Sequence, residues 1–589
     1  MKNFFKYTFA SILGFIIGGL ILFFLLIGIG SGMLNSFQNE AVKLEPNTVL
    51  KINLSSVVSD RKSNNPFDNM NPLTMQITES IGMNMILNNL KKASVDENID
   101  GIYLNLSFVR AGMASLDEIR NALKKFKESG KYIIAYSDLF TQKAYYLASV
   151  ADEIYMNPSG IFDFKGLRAE VMYYKAAFDK FGIEPQIIRH GKYKSAIEPY
   201  ERTDMSRESK EQVLTYISSV WNNILTGISE ERDISVAELN KYADNLTVKN
   251  AKKALEHKFI DGIKYEDEVI NFLKKKTAVL SNEVKTVSMG KYSRVPEIRN
   301  NKEFTRDRIA VVYASGTIGM GEGREGSIGA KRISRAIVKA RRNSKVKAIV
   351  IRVNSGGGDV LSSEIIWREV LLASKSKPVI ASMGDYAASG GYYILSPVSK
   401  IVAGKNTLTG SIGVFGVLFT TKKLMNNKLG ITVDGVQTNK NSGTGSVFRP
   451  FTEYEKKVLQ ASVDDTYSTF LDRVAEGRNM NRDEVDKIGQ GRIWTGEDAK
   501  KIGLIDEFGG LEKAISIAAE EAGIENYRLL ELPALTDPFT ALLNSIGSFS
   551  KLKQFKNPLF ENFNPAETME DLFELKGLQL RIPYKFEVY

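Results

Sequence analysis

Residues 7–30 read YTFASILGFIIGGLILFFLLIGIG, an apolar run that no charged residue interrupts. As a helix this run extends about 36 Å at roughly 1.5 Å per residue, enough to cross a bilayer. Lys2 and Lys6 precede it and the next charge is Glu40. The pattern therefore predicts one transmembrane anchor, with residues 1–6 cytoplasmic and the remainder exported. A cleaved signal peptide fits less well, because the apolar core is too long and no small-x-small site follows closely. Further along, the pattern changes. Short apolar runs such as VLKINL, GIYLNL, IAVVYA, AIVIRV and PVIAS alternate with amphipathic segments such as SSEIIWREVLLA. Apolar strands alternating with helices are the sequence form of α/β units stacked around buried strands.

The alternation occurs twice. Ile102 corresponds to Ile349, and a constant offset of 247 residues places Tyr145 and Tyr146 on Tyr392 and Tyr393. A repeat this long implies two copies of one domain rather than a solenoid of short units. The expected organisation is a linker at 31–47, a first copy at 48–300, a second at 305–535 and a C-terminal extension at 536–589 of unassigned role. The polar stretch at 290–306 marks the boundary between copies. The copies are unequal. Where the second has Asn354-Ser355-Gly356-Gly357-Gly358, the first has Ser107-Phe108-Val109-Arg110-Ala111. Where the second has Ser389-Gly390, the first has Gln142-Lys143. Glycines allow tight turns and close approach of the backbone, so their presence in one copy points to a site there.

Composition narrows the function. The chain has 589 residues and a net charge of +10, but its basic residues are interspersed with acidic ones. With no zinc-finger spacing and no arginine-aromatic tract, a nucleic-acid partner is not expected. Cysteine is absent, which excludes a thiol nucleophile, a thiolate metal site and disulfide support.

The candidate chemistry centres on AASGGYYIL at 387–395. Ser389 follows the strand-like PVIASM, and Gly390 can offer a backbone N–H beside the serine oxygen. The NSGGG loop also follows a strand and can offer another, from Gly357; two such donors suit the oxyanion of acyl transfer. Two glycine-rich turns serving only the fold would look the same. A P-loop is excluded, since NSGGGDVLSS lacks the lysine of that motif. A serine hydroxyl needs a base. The chain has two histidines, His190 and His257, neither in an interpretable motif. Lysine can serve when burial lowers its pKa; HGKYKSAIEPY contains Lys192 and Lys194, and the small, partly apolar SAI after Lys194 favours an inward position. Most lysines are solvated surface residues, and the residues alone leave the base open.

The motifs GKYKSAIEPY, RVNSGGGDVLSSE, ASMGDYAASGGYYI, NTLTGSIGVFG and GRIWTGEDAKKIGLIDEFGG together resemble the long, duplicated form of the signal peptide peptidase A family (peptidase family S49), over residues 1 to 535. The resemblance implies two tandem α/β domains with ClpP/crotonase-like ββα units, preceded by one transmembrane helix. It implies a serine endopeptidase with a Ser-Lys dyad. Ser389 would be the nucleophile and Lys194 the general base. Ser411 would orient the lysine, and Gly357 and Gly390 would form the oxyanion hole. No cofactor and no metal are implied. The substrates would be cleaved signal peptides, and the lipid bilayer would be met through residues 7–30. The assembly would be a homo-oligomer, a tetramer, in the bacterial inner membrane with both catalytic domains on the extracytoplasmic side. The family's loop commonly reads NSPGG, and Gly356 stands here in the proline position. Asn441 occupies the counterpart of Lys194, so each copy keeps the half of the dyad that the other lost. A crotonase-like acyl-coenzyme A enzyme and a non-catalytic membrane scaffold are the alternatives. The first leaves the division of serine and lysine between copies unexplained, and the second leaves both halves of the dyad without a purpose.

Overall fold

The computed structural model describes residues 42–63, 80–277, 284–296, 305–535 and 578–581, with parts of 6–21. Much of the expected anchor at 7–30 and most of the extension at 536–589 lie outside the described residues, and among those described no helix is long and apolar enough to cross a membrane.

Each copy is built on a parallel sheet. In the first, the order is Gly262–Ile263, Glu153–Phe162, Tyr132–Phe140, Ile99–Asn105, Thr48–Ile52 and Thr286–Ser288. In the second, Leu408–Gly410, Val379–Ala388, Val346–Ser355, Arg308–Ser315 and Arg528–Leu532 follow one another after the edge strand Ile493–Thr495. The central strands are apolar on both faces, as a sheet covered on both sides requires. Ile349, Val350 and Ile351 are fully buried. The offset read from the sequence holds for the helices as well. Met83–Val95 matches Ala330–Arg342, and Met113–Lys127 matches Val360–Ser374. Each copy also carries a 26-residue helix, Arg207–Arg232 in the first and Glu453–Arg478 in the second. Ser206 and Thr452 cap their N-termini by accepting backbone N–H bonds. Both helices stop at a residue in the left-handed region, Asp233 and Asn479.

The copies are joined by a third, six-stranded sheet. Glu184–His190 of the first copy pairs antiparallel with Val414–Thr420 of the second over its whole length, from Val414 opposite His190 to Thr420 opposite Glu184. This seam strand lies four residues before Lys194, and so it carries the lysine loop into the second copy. Ala196 and Ile197 pack there on Phe415 and Val417.

A polar cluster also crosses the junction. Arg352, 1% exposed, lies in the middle of the apolar strand Val346–Ser355. It donates to Asp60 at 2.7 Å, to Glu118 at 2.6 Å and to Ser382 at 2.9 Å. Burial works against its charge, but Glu118 and Asp60 hold the guanidinium above its ordinary pKa. The second Glu118 oxygen accepts the Leu511 N–H at 2.9 Å, at the start of the helix Leu511–Glu521. Asp385 accepts from the Ser115 N–H at 2.9 Å and its hydroxyl at 2.7 Å. Removing one member of a buried ion group leaves the others charged and unpaired. Arg352→Met is therefore expected to lower the unfolding free energy by about 3–5 kcal/mol, measured as the shift in urea midpoint at constant slope. A loss below about 1 kcal/mol would show that the two carboxylates do not depend on it.

Candidate active site

Ser389 ends the strand Val379–Ala388 and begins the short helix Gly390–Tyr393. Its backbone is held at φ 57°, ψ −118°, a conformation that costs a non-glycine residue of the order of 1–3 kcal/mol. Its environment maintains it there. The Ser389 N–H donates to Gly410 O at 2.8 Å, and the tyrosine pair that follows is buried, with Tyr392 donating to Leu504 O at 2.8 Å. The turn points the hydroxyl away from its own sheet and toward the first copy's lysine loop.

Lys194 is 1% exposed. Its Nζ lies 2.8 Å from Ser389 Oγ, 3.0 Å from Ser411 Oγ and 3.2 Å from Ser411 O. No carboxylate is among these partners. Burial pushes the amine well below the usual lysine pKa, and the three contacts suit a neutral amine. In that state the lone pair can accept the Ser389 hydroxyl hydrogen while two N–H groups donate to the two oxygens of Ser411. Ser411 Oγ lies 3.3 Å from Gly491 O, to which it can donate its own proton. Ser411 itself sits at φ 52°, its N–H held by Arg492 O at 2.7 Å.

The glycine loop divides its amides. Gly357 donates its N–H to Ser355 Oγ at 3.1 Å. The Gly358 nitrogen lies next to Gly390, 3.2 Å from where a Cβ on Gly390 would stand. Of the pair expected from the sequence, Gly390 stands beside Ser389, whereas Gly357 has its amide engaged within its own loop. Both loop glycines lie against Gly390: a Cβ on Gly357 would come within 2.7 Å of Gly390 N, and Gly358 is at φ 159°. The GGG run held this signal without indicating which glycine turns inward.

Two residues that sequence reasoning did not single out shape the lysine's position. Gly491, at φ 80°, lies so close that a Cβ there would come within 2.7 Å of Lys194 Cβ, and one on Gly413 within 3.3 Å of Lys194 Cδ. The Tyr193 N–H is fixed by Gln490 O at 2.9 Å. Their signal lay in GRIWTGE and TGSIG, motifs that carry glycines where close approach is needed.

The histidines have other partners. His190 lies 2.7 Å from Asp464 and stacks on Tyr467 at 4.0 Å, while the His257 ring lies tilted against Tyr242 at 4.5 Å. In the first copy, Gln142 occupies the position of Ser389. It donates to Gly166 O at 3.0 Å and accepts the N–H groups of Lys165 and Gly166 at 2.9 and 2.8 Å, so this side chain clamps a loop. Asn441, at the position of Lys194, is exposed. Among the described residues, no group of three or more histidine and carboxylate side chains could hold a metal ion.

Comparison with known proteins agrees with a duplicated peptidase. The model of "Peptidase family S49" matches residues 125–280 and again 372–525, one match in each copy. The chain is 34% identical over 515 residues to the chloroplastic serine protease SPPA of Arabidopsis thaliana, covering 86% of this chain and 74% of that protein. It is 35% identical over 551 residues to Protease 4 of Salmonella typhi, covering 90% of this chain and 87% of the relative. A solved structure of a ClpP1 variant from Listeria monocytogenes aligns over 35% of this chain and 94% of its own, with 14% identity and a TM-score of 0.24, too slight a likeness to carry the ClpP-like part of the fold expectation. With the family matched in both copies and relatives aligned over most of their own lengths, the chain belongs to peptidase family S49 and is a serine protease.

Proposed function

We propose that Ser389 is the nucleophile, Lys194 its general base, and Ser411 the residue that holds the lysine's remaining protons. Gly358 and Gly390 donate to the oxyanion, with Gly358 in the part first expected of Gly357. The observation that carries this reading is the 2.8 Å contact between a buried lysine amine and a buried serine hydroxyl supplied by different copies. Ser389 Oγ attacks a peptide carbonyl while its proton passes to Lys194. The proton then goes to the leaving amine, and water hydrolyses the acyl-enzyme. Labelling with a fluorophosphonate probe, mapped by peptide mass spectrometry, tests the nucleophile. Adduct on Ser389 that disappears on prior denaturation is expected. Adduct on another serine, or equal labelling of the unfolded chain, overturns the assignment.

The substrates we assign are extended, apolar peptides of the signal-peptide type, met at the extracytoplasmic face of the inner membrane, where residues 7–30 would anchor the enzyme. Support comes from the uncharged run at 7–30.

The oligomer we assign is a closed ring, a tetramer, formed head to tail. The seam inside the chain uses Glu184–His190 of the first copy and Val414–Thr420 of the second. The repeat partners of these strands are 431–437 and 167–173, and neither is in a strand. Ile431, Val433 and Val436 are exposed, Val436 completely, and so is Met172. A second chain supplies the complementary segment to each, repeating the internal pairing between chains. The double variant V433D/V436D is expected to sediment as a monomer where the wild type does not. Equal sedimentation of the two would exclude this seam.

A further inference from the structure

One buried amide touches both halves of the site. Gln212 stands at the sixth position of the helix Arg207–Arg232 and is 2% exposed. Its side-chain nitrogen donates to Tyr193 O at 3.0 Å and to Ser195 Oγ at 2.8 Å, the residues on either side of Lys194. Its side-chain oxygen accepts the N–H of Ile493 at 3.2 Å. A backbone carbonyl only accepts and a backbone N–H only donates, so these contacts fix the amide in one orientation. Ile493 belongs to the part of the second copy that builds the rest of the site. It stands opposite Gly410 where Ile493–Thr495 pairs with Leu408–Gly410, and Gly410 O holds the Ser389 N–H at 2.8 Å. Immediately before it, Arg492 O holds the Ser411 N–H at 2.7 Å and Gly491 O lies 3.3 Å from Ser411 Oγ.

Resting on the assignment of Lys194 as the base, we propose that Gln212 is a positioning residue for the reaction, setting the distance from the lysine amine to Ser389 without touching substrate. The two long helices supply a comparison within the chain. The sixth residue of Glu453–Arg478 is Val458, 51% exposed, and in that copy the counterpart of Lys194 is the exposed Asn441. A buried amide is present where a lysine has to be placed and absent where none is. Docking of the first helix on the strand Ile493–Thr495 and its approach has other contacts. Glu211 meets Arg492 at 3.1 Å, and Ser219 donates to Thr495 Oγ at 3.3 Å. Gln212 adds to these a grip on both neighbours of Lys194. Only an uncharged amide of this length supplies two donors to one loop and an acceptor to the other.

The test is steady-state kinetics of full-length Q212L across pH, with S195A, K194M and melting curves in parallel. Leucine fills a similar space and makes none of the three bonds. A displacement of reacting groups by about 1 Å costs on the order of a hundredfold in rate. Q212L is therefore expected to lose about 10- to 100-fold in kcat, with KM near the wild-type value. A loosened loop also admits water to the amine and relieves the burial that depresses its pKa. The acid limb of kcat should move to higher pH, and part of the loss should return in alkaline buffer. S195A removes one bond of the three and should move kcat and the limb in the same directions by less. A Q212L enzyme with a lower melting point but wild-type kcat and acid limb makes the residue merely structural and overturns the proposal. Where Q212L does not fold, S195A decides: wild-type kcat and limb overturn the proposal, and the displaced limb upholds it. An active K194M overturns the assignment of the base, and this proposal with it. An inactive K194M beside an unaltered Q212L removes Gln212 alone and leaves the dyad standing.

Discussion

Ser389→Ala is expected to reduce kcat on a peptide substrate by about 10⁴- to 10⁶-fold, the range seen when a catalytic serine is removed and only the oxyanion donors remain. The fold should not suffer. Ser389 owes its unusual backbone to the Gly410 carbonyl that holds its N–H and to the buried helix Gly390–Tyr393, and none of these needs the hydroxyl. Alanine has the same Cβ and meets the same backbone strain. The thermal midpoint should therefore stay close to that of the wild type, so that lost activity reads as lost chemistry. The measurement is kcat together with a melting curve. A variant within tenfold of wild-type kcat would remove Ser389 from the mechanism.

Lys194→Met should be equally inactive, and its stability should respond differently to pH. In the wild type, burial depresses the folded-state pKa of the amine from an ordinary 10.5. Between that depressed value and 10.5 the unfolded chain binds a proton that the folded chain does not, so wild-type stability rises with pH across this window. Below the depressed value both states carry the proton, and the folded protein bears the full cost of a buried charge. Methionine has no proton to bind. The difference in urea midpoint, wild type minus K194M, should thus increase from acid to alkaline pH. The wild-type kcat/KM should rise through the depressed pKa, because only the neutral amine can accept the serine proton. Lys194→Arg should be inactive as well, since a guanidinium cannot deprotonate at working pH. Ser411→Ala should keep some activity, with its acid limb displaced, because it removes one of the oxygens that fix Nζ. A midpoint difference that stays flat with pH would mean Lys194 is not the titrating group.

Much of this was legible in the residues. The offset between Ile102 and Ile349 carried the helices and central strands of both copies, because buried parallel strands need continuous apolar runs whose spacing survives duplication. The serine turn was legible too, since glycines after a strand in one copy alone mark a local need. The base was not. Lys194 and Ser389 are 195 residues apart, and what unites them is antiparallel pairing of Glu184–His190 with Val414–Thr420, a long-range choice that neither strand's own pattern specifies. The resemblance to a family supplied it. The same limit hid the strand Leu578–Arg581 of the third sheet, whose four residues carry no periodicity of their own. The inward amide of the glycine loop depended on a single hydrogen bond, from Gly357 to Ser355, that composition cannot show. Arg352 did leave a sign, a lone cation inside AIVIRVN, and such a residue inside an apolar strand asks for buried partners.

The seam between the copies has a kinetic side. Its two strands belong to one polypeptide, so the lysine loop meets the serine turn at an effective concentration set by the tether, of the order of millimolar for a flexible connection. An enzyme whose two halves were separate molecules would lose its dyad on dilution and regain it by a second-order encounter. Here the encounter is first-order: specific activity should hold from micromolar down to nanomolar chain. Tethering also guarantees which copy faces which. Gln142 can therefore clamp its own loop and Asn441 can stand at the surface, because neither position is asked to meet a partner of its own kind.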